Sequence, residues 1–259
     1  MLIPVGILIF MLSYVPLFGI VIAFQDYVPG APLFSLKANW VGFDNGFPVP
    51  IIFALLLNEI NRKRFKKVVQ TMSYLPHFIS TVVVAGIVLS FIGSDGLVND
   101  ITALFGMEPV AYNLSIEAFP VIYVIVNIWK SFGWNSILYL SSMSSIDVTL
   151  YESAKMDGAN RLQMARYITI PGIMPTIAFT LIMSAGSILS TNTDMILLLY
   201  NPSIYESADV LGTYVYRDGL MGGNFSFGTA VSLFSTCLNF LIMFITNKIS
   251  SKMTGNGLW

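Results

Sequence analysis

Five side chains in one apolar stretch have the chemistry needed to hold a sugar. A sugar offers apolar C–H faces and many hydroxyl groups, which aromatic rings and planar amides complement. An ionisable residue inside a membrane span is costly, so the lysine is a functional candidate. A packing interpretation competes: the amides would join helices by hydrogen bonds, and the lysine would pair with a carboxylate. The five are Asn127, Trp129, Lys130, Trp134 and Asn135.

A second polar stretch interrupts a later apolar run. Spacings of three and four residues put Ser184, Ser187 and Thr191 on one face of a helix. That face predicts either a hydrophilic path or close helix packing. Asp194 follows it as an ionisable residue in the span and is a further candidate for the substrate path. Its place toward the outer end leaves contact with an external protein as the alternative.

The composition requires lipid around these residues. The chain has 259 residues, of which 55% are hydrophobic and 10% charged, with a mean hydropathy of +0.74. Soluble domains average about a quarter charged residues. A membrane-spanning helix needs roughly 20 apolar residues. Five segments approach or exceed this length, and a sixth, residues 46–57, is apolar but short. The five are residues 2–24, 78–92, 119–143, 173–200 and 229–246.

The positions of the basic residues predict the orientation. With six spans and a cytoplasmic N-terminus, ten basic residues lie on the cytoplasmic side, while Lys37 and Arg217 lie outside. This is a strong positive-inside bias. It predicts an all-α polytopic membrane protein, a single domain over residues 1–259, with both termini cytoplasmic. The ten are Arg62, Lys63, Arg64, Lys66, Lys67, Lys155, Arg161, Arg166, Lys248 and Lys252.

The short second span leads to a separate expectation. Twelve helical residues cannot cross the hydrocarbon core. We therefore expect residues to be missing at about Asn45/Gly46, and the native start to lie before Met1.

A polar loop at residues 147–175 predicts two short cytoplasmic helices. Asp147 is placed to cap the first, and Gly158 is placed to break it. Asn160 with Gln163 is typical of a capping box for the second, which Pro171 would end. The loop is then either a docking device or an amphipathic hairpin at the interface.

A resemblance to a known family favours the interpretation of this loop as a docking device. The loop resembles the EAA loop of ABC importer membrane subunits, E-A-A-x-x-x-G, nine residues, then I-x-L-P. Ser153 and Ile170 are departures from this pattern. In that family the loop inserts into a cleft on the ATP-hydrolysing subunit and transmits its motion. The resemblance therefore implies a coupling role for Glu152, Ala154, Asp157, Gly158, Ala159, Ile168 and Pro171.

Other segments resemble the carbohydrate-type permeases, which transport polysaccharides and oligosaccharides. They are residues 74–80, 129–134, 199–202, 208–210 and 213–217. The resemblance implies the type I permease fold and import of an oligosaccharide or glycan across a prokaryotic plasma membrane. It also implies a second permease, two ATPase subunits that bind ATP and Mg, and an extracytoplasmic solute-binding protein. The alternative is an ion-gradient-driven secondary transporter, which would show inverted repeats and carboxylates at the midplane.

Several chemistries find no support in the sequence. It has no G-x-x-x-x-G-K-[ST] loop for ATP and no paired His/Cys ligand set for a metal. Its single cysteine, Cys237, excludes an internal disulfide and is expected to be buried. His77 is expected to be structural. The chain is therefore predicted not to be an enzyme, and no cofactor is expected to bind it.

Overall fold

The computed structural model describes residues 47–60, 62–190, 192–255 and 257–258, and every regular element within them is helical. The α-helices are α1 (Pro48–Asn58), α2 (Lys63–Phe78), α3 (Thr81–Ile92), α4 (Leu97–Ala103), α5 (Ala118–Ser144), α6 (Val148–Met156), α7 (Arg161–Met164), α8 (Ile170–Gly172), α9 (Met174–Ala185), α10 (Thr193–Leu199), α11 (Tyr205–Ala208), α12 (Leu211–Tyr214) and α13 (Phe225–Thr254). Two π-helical segments, Ala165–Thr169 and Val215–Met221, precede α8 and α13.

α5 is the central helix of the bundle. It has 27 residues, which at 1.5 Å per residue is about 40 Å, and it packs against α1 and α2. Toward its start, Phe119, Tyr123 and Val126 enter a core with residues of α3 and α10. Toward its end, Tyr139 and Met143 form a second core with α1. α13 packs along α9 and the second π-helical segment.

Most of the described residues in the apolar segments predicted from sequence are helical. Two stretches there are long and apolar enough to cross a membrane: Thr81–Ala103, which comprises α3 and α4, and Phe225–Lys252 of α13. A third exists if the pair Arg161–Gly172 and Met174–Ala185, bent by 63°, forms one span. The predicted span 2–24 lies outside the described residues, so six crossings remain a prediction. α1 is short, as expected, with 11 residues.

Two details of the sequence prediction are wrong. Cys237 is exposed on α13, because that helix leaves much of its apolar surface uncovered within this chain. The predicted span 173–200 is not one helix: α9 ends at Ala185, and α10 begins at Thr193. Between them, Ser187 and Ser190 make turn-type backbone hydrogen bonds to residues three positions earlier.

Candidate functional site

The loop between α5 and α9 begins with a helix capped at both ends. The Asp147 carboxylate accepts a hydrogen bond from the Thr149 N–H at 2.9 Å, which lowers the pKa of Asp147. At the other end, the Ala159 N–H donates to the Ala154 carbonyl and the Gly158 N–H donates to that of Lys155. These two bonds form a Schellman motif, and Gly158 takes the left-handed conformation it requires, with φ +78°. The spacing of Ala154, Gly158 and Ala159 is therefore the spacing of a helix stop.

The second half of the loop has the predicted capping box. The Asn160 side chain accepts from the Gln163 N–H, while the Gln163 side chain accepts from the Asn160 N–H. The helix then widens into the π-helical segment and continues through Pro171 to Gly172. The expectation that Pro171 ends the helix is wrong by one residue, since the 63° bend follows at Ile173. The missing N–H of proline weakens the helical ladder just before this bend.

Contacts at the base hold the loop as one body. The Tyr151 and Thr169 hydroxyls are 2.9 Å apart and join its two halves. Gly172 lies against Ile146, because a Cβ at Gly172 would come within 2.7 Å of the Ile146 side chain. Arg161 and Glu59 form an exposed ion pair at 3.7 Å, which contributes little. The loop is thus fixed to the bundle at its base, while its tip extends away.

The tip of the loop is apolar and uncovered. Met156 is 89% exposed and Leu162 is 80% exposed, and neither α6 nor α7 has a buried residue. Such an uncovered apolar surface on a charged loop is typical of a protein contact. Of the coupling residues predicted from sequence, Glu152, Asp157, Gly158 and Pro171 are exposed, and Ala154, Ala159 and Ile168 are half-buried.

The five predicted pathway residues of α5 do not form one cluster. Asn127 is buried and accepts a hydrogen bond from the Asn192 side chain at 3.3 Å. Trp129 lies on an exposed face, and Asn135 is half-buried. Lys130 and Trp134 face the junction of α2 and α3. The bundle therefore assigns Asn127 to helix packing, which is the competing interpretation of that residue.

Lys130 lacks the partner that the packing interpretation expected. Its Nζ donates to the Thr81 hydroxyl at 2.7 Å. Among the described residues, the ion pairs involve only Arg161 and Arg217 on the basic side. One turn further along α5, the Trp134 ring stacks on His77 at 4.6 Å with parallel planes. His77 thus has a packing role, as expected.

The break between α9 and α10 is held by side chains from other helices. Asn239 of α13 accepts from the Leu189 N–H at 3.1 Å and donates to the Ser190 hydroxyl at 3.0 Å. The Tyr123 hydroxyl of α5 accepts from the Asn192 N–H. Backbone that leaves the helix inside a membrane needs such partners. We call the described residues of this stretch, 186–190 and 192, the clamped break.

The clamped break changes the interpretation of the second polar stretch. Ser184 and Ser187 do not share a helical face, because the helix ends between them. The Ser187 hydroxyl donates to the Ser184 carbonyl at 3.1 Å, a local bond that competes with the helical ladder. Thr191 lies outside the described residues. Asp194 is exposed in the first turn of α10 and is not inside a continuous span.

Sequence reasoning missed three polar groups that organise the bundle. Asn239 was detectable as a lone amide in an apolar run. Tyr123 had no distinguishing signal. Arg217 donates to Asp209 at 2.7 Å and lies against the rings of Tyr205 and Tyr214, and the Asp209 hydrogen bond raises the pKa of Arg217.

Comparison with known proteins identifies the family. Residues 46–255 match the family described as "Binding-protein-dependent transport system inner membrane component". The chain belongs to this family. It is an ABC importer permease, a membrane subunit without enzymatic activity of its own. Membership in this family favours an ABC importer permease over the ion-gradient-driven secondary transporter that the sequence had left as the alternative.

Individual relatives agree with this assignment. The chain is 36% identical to the polygalacturonan/rhamnogalacturonan transport system permease protein YteP of Bacillus subtilis (strain 168), with 100% of this chain and 89% of that protein covered. It is 34% identical to Protein LplB of the same organism, with 100% and 90% covered. The alignment with YteP has 287 positions, 28 more than the chain, and the expectation of missing residues stays a prediction. Their predicted position, Asn45/Gly46, lies outside the described residues.

A solved structure shares the fold. A chain of a bacterial ABC transporter involved in the import of the acidic polysaccharide alginate superposes with a TM-score of 0.79. The two are 39% identical, with 98% of this permease and 94% of that chain covered. A second structure of an alginate transporter, in complex with a periplasmic protein that holds an alginate pentasaccharide, gives a TM-score of 0.80 at 39% identity, with 100% and 95% covered. The type I importer permease fold predicted from sequence is thereby confirmed.

Proposed function

We propose that this permease forms half of the path by which an oligosaccharide or glycan crosses a prokaryotic plasma membrane, driven by ATP hydrolysis in separate subunits. The names of its relatives support a carbohydrate substrate, since they include a polygalacturonan/rhamnogalacturonan permease and an alginate importer. A second permease, identical or different, completes the path. An extracytoplasmic binding protein delivers the substrate, and both termini of the permease lie in the cytoplasm.

The observation that carries the coupling mechanism is the capped, apolar-tipped loop. Met156 and Leu162 extend from a body fixed by the Tyr151–Thr169 contact. Burying one such side chain fully is worth about 1.5–3 kcal/mol, so a cleft that covers both gains a firm hold. Because the loop is rigid and joined to α5 and α9, movement of the ATPase shifts the ends of these helices. ATP and Mg bind in the ATPase subunits, and the permease binds neither.

Glu152→Lys tests this mechanism. Glu152 is exposed on α6, so the substitution does not disturb a buried contact. We expect ATP-dependent uptake and substrate-stimulated ATP hydrolysis to fall to background in proteoliposomes, because a reversed charge now faces the cleft. Insertion of the permease in the membrane should be unchanged.

The matched control is Glu108→Lys, the same change at an exposed glutamate outside the loop. It should leave uptake at the wild-type rate. Full uptake by the Glu152→Lys complex would refute the coupling role of the loop. Uptake without ATP would instead refute ATP-driven transport altogether.

A further inference from the structure

One face of α5 stays open along the second half of the helix. At about 100° per residue, Lys130, Trp134, Leu138, Ser141 and Ser145 fall within an arc of about 80°. Trp134 is 42% exposed, Leu138 is 52% exposed, and both serines are exposed. Ser145 lies two residues before the Asp147 cap, so this open face of α5 runs from the lysine toward the coupling loop.

The loop end of this face borders a groove shared with α9. The groove has a volume of about 480 Å³ and combines hydroxyl groups with apolar and aromatic surface. One pair of hydroxyls, Thr176 and Ser142, is hydrogen bonded across it at 2.8 Å. Hydroxyls that can donate and accept, next to an aromatic ring, match the surface of a sugar. The lining residues are Leu138, Ser141, Ser142, Ser145, Pro175, Thr176 and Phe179.

The positive charge of Lys130 further limits the class of substrate that this face could bind. Its contact is the neutral Thr81 hydroxyl, and the ion pairs among the described residues do not include it. A cation in a span is stable when an anion or water meets it. On the same face, the Trp134 ring stacks on His77 and still exposes 42% of its surface. A carboxylate at the lysine and a sugar ring at the tryptophan would occupy adjacent turns of α5.

We propose that the open face of α5 and its groove form the inward part of the translocation path, where Lys130 binds the carboxylate of an acidic oligosaccharide and Trp134 supports a sugar ring. This inference rests on the proposed function and adds the substrate class. The site selects uronate-containing chains over neutral ones of the same length. Asn127 and Asn135 have no part in this selection.

Binding to the assembled transporter tests the proposal without requiring transport. The complete complex, in lipid nanodiscs and without the binding protein, is titrated with trigalacturonate, trimannuronate and the methyl ester of each. The wild-type complex should bind at least one of the two acids, with a Kd at least about tenfold lower than that of its methyl ester. A difference of this size is what one charge-assisted hydrogen bond contributes to affinity. Lys130→Gln should lose this difference, and Lys130→Arg should retain it.

Three further variants separate charge recognition from structure. Lys248→Gln removes an exposed lysine of α13 and should bind like wild type. Thr81→Val removes the hydroxyl partner but keeps the charge, so the preference for acid should remain. Trp134→Leu should weaken acid and ester alike.

Other outcomes overturn the proposal. Absence of acid binding by wild type would do so, as would an equal loss of acid and ester binding in Lys130→Gln. A third outcome combines two results: Lys130→Gln fails to assemble, and Lys130→Arg binds the acid no more tightly than its ester. It would indicate that the partner permease covers this face. Because binding is read here and coupled uptake is read with Glu152→Lys, the two proposals can fail separately.

Discussion

The loop at residues 147–175 and the clamped break are both departures from regular spans, yet they are stabilised in opposite ways. The loop closes on itself: its caps join residues two to five positions apart, and its tip is exposed. The break depends on distant helices, through hydrogen bonds between residues 49 to 69 positions apart. The loop is therefore a body that can be moved as a unit. The break is a part of the bundle that other helices must hold in place.

The largest loss of stability is expected when a glycine inside the bundle is replaced. A Cβ at Gly133 would lie 2.0 Å from the Ser73 carbonyl oxygen, so Gly133→Ala forces α2 away from α5. We expect destabilisation by about 1–3 kcal/mol, measured as the thermal unfolding of the purified complex. Gly86→Ala is the control, since a Cβ there meets no atom within 4 Å. Equal stability of the two variants would contradict the close contact.

Replacing a glycine in the loop should have a smaller effect, which is confined to the loop. A Cβ at Gly158 meets nothing within 4 Å, but the left-handed backbone there costs other residues about 1–2 kcal/mol. Gly158→Ala should lower the uptake rate while the bundle unfolds at the wild-type temperature. Gly158→Asn should recover part of the rate, because asparagine tolerates this conformation. A drop in the unfolding temperature of the bundle would show that the loop is not independent.

The smallest effect is expected at the clamp of the break. Asn239→Ala leaves the Leu189 N–H and the Ser190 hydroxyl without this partner. We expect a loss of about 1 kcal/mol, since hydrogen bonds between membrane helices contribute modestly. Hydrogen exchange at Leu189 should rise, while exchange in the loop stays constant. Cys237→Ala, at an exposed position of the same helix, serves as the control. Unchanged exchange at Leu189 in the Asn239 variant would argue against the clamp.

The parts of the loop that were predictable are those encoded within a few residues. The Asp147 cap, the Gly158 stop and the Asn160–Gln163 box all formed as the sequence indicated. The end of the second helix was misplaced because the π-helical segment carries the chain past Pro171. The roles of Glu152 and the other coupling residues remain predictions that rest on resemblance.

The polar residues of the spans were harder to assign. Asn127 and Lys130 lie three residues apart on the same helix, yet one binds Asn192 and the other binds Thr81. The sequence presented both as candidates for one site. It also predicted one span over residues 173–200 despite the polar stretch within it, because the sequence does not show where Asn239 and Tyr123 will supply hydrogen bonds to a broken helix.

The sequence alone determined that this chain lies in lipid, where its basic residues concentrate and how its loop is capped. Each of these depends on composition or on neighbours along the chain. Only the tertiary structure decided that the helix breaks between Ala185 and Thr193, that Asn127 serves packing, and that Lys130 lies on an open face beside Trp134. These outcomes depend on which distant side chain forms a hydrogen bond with each polar group, since the membrane interior has no water to take that place.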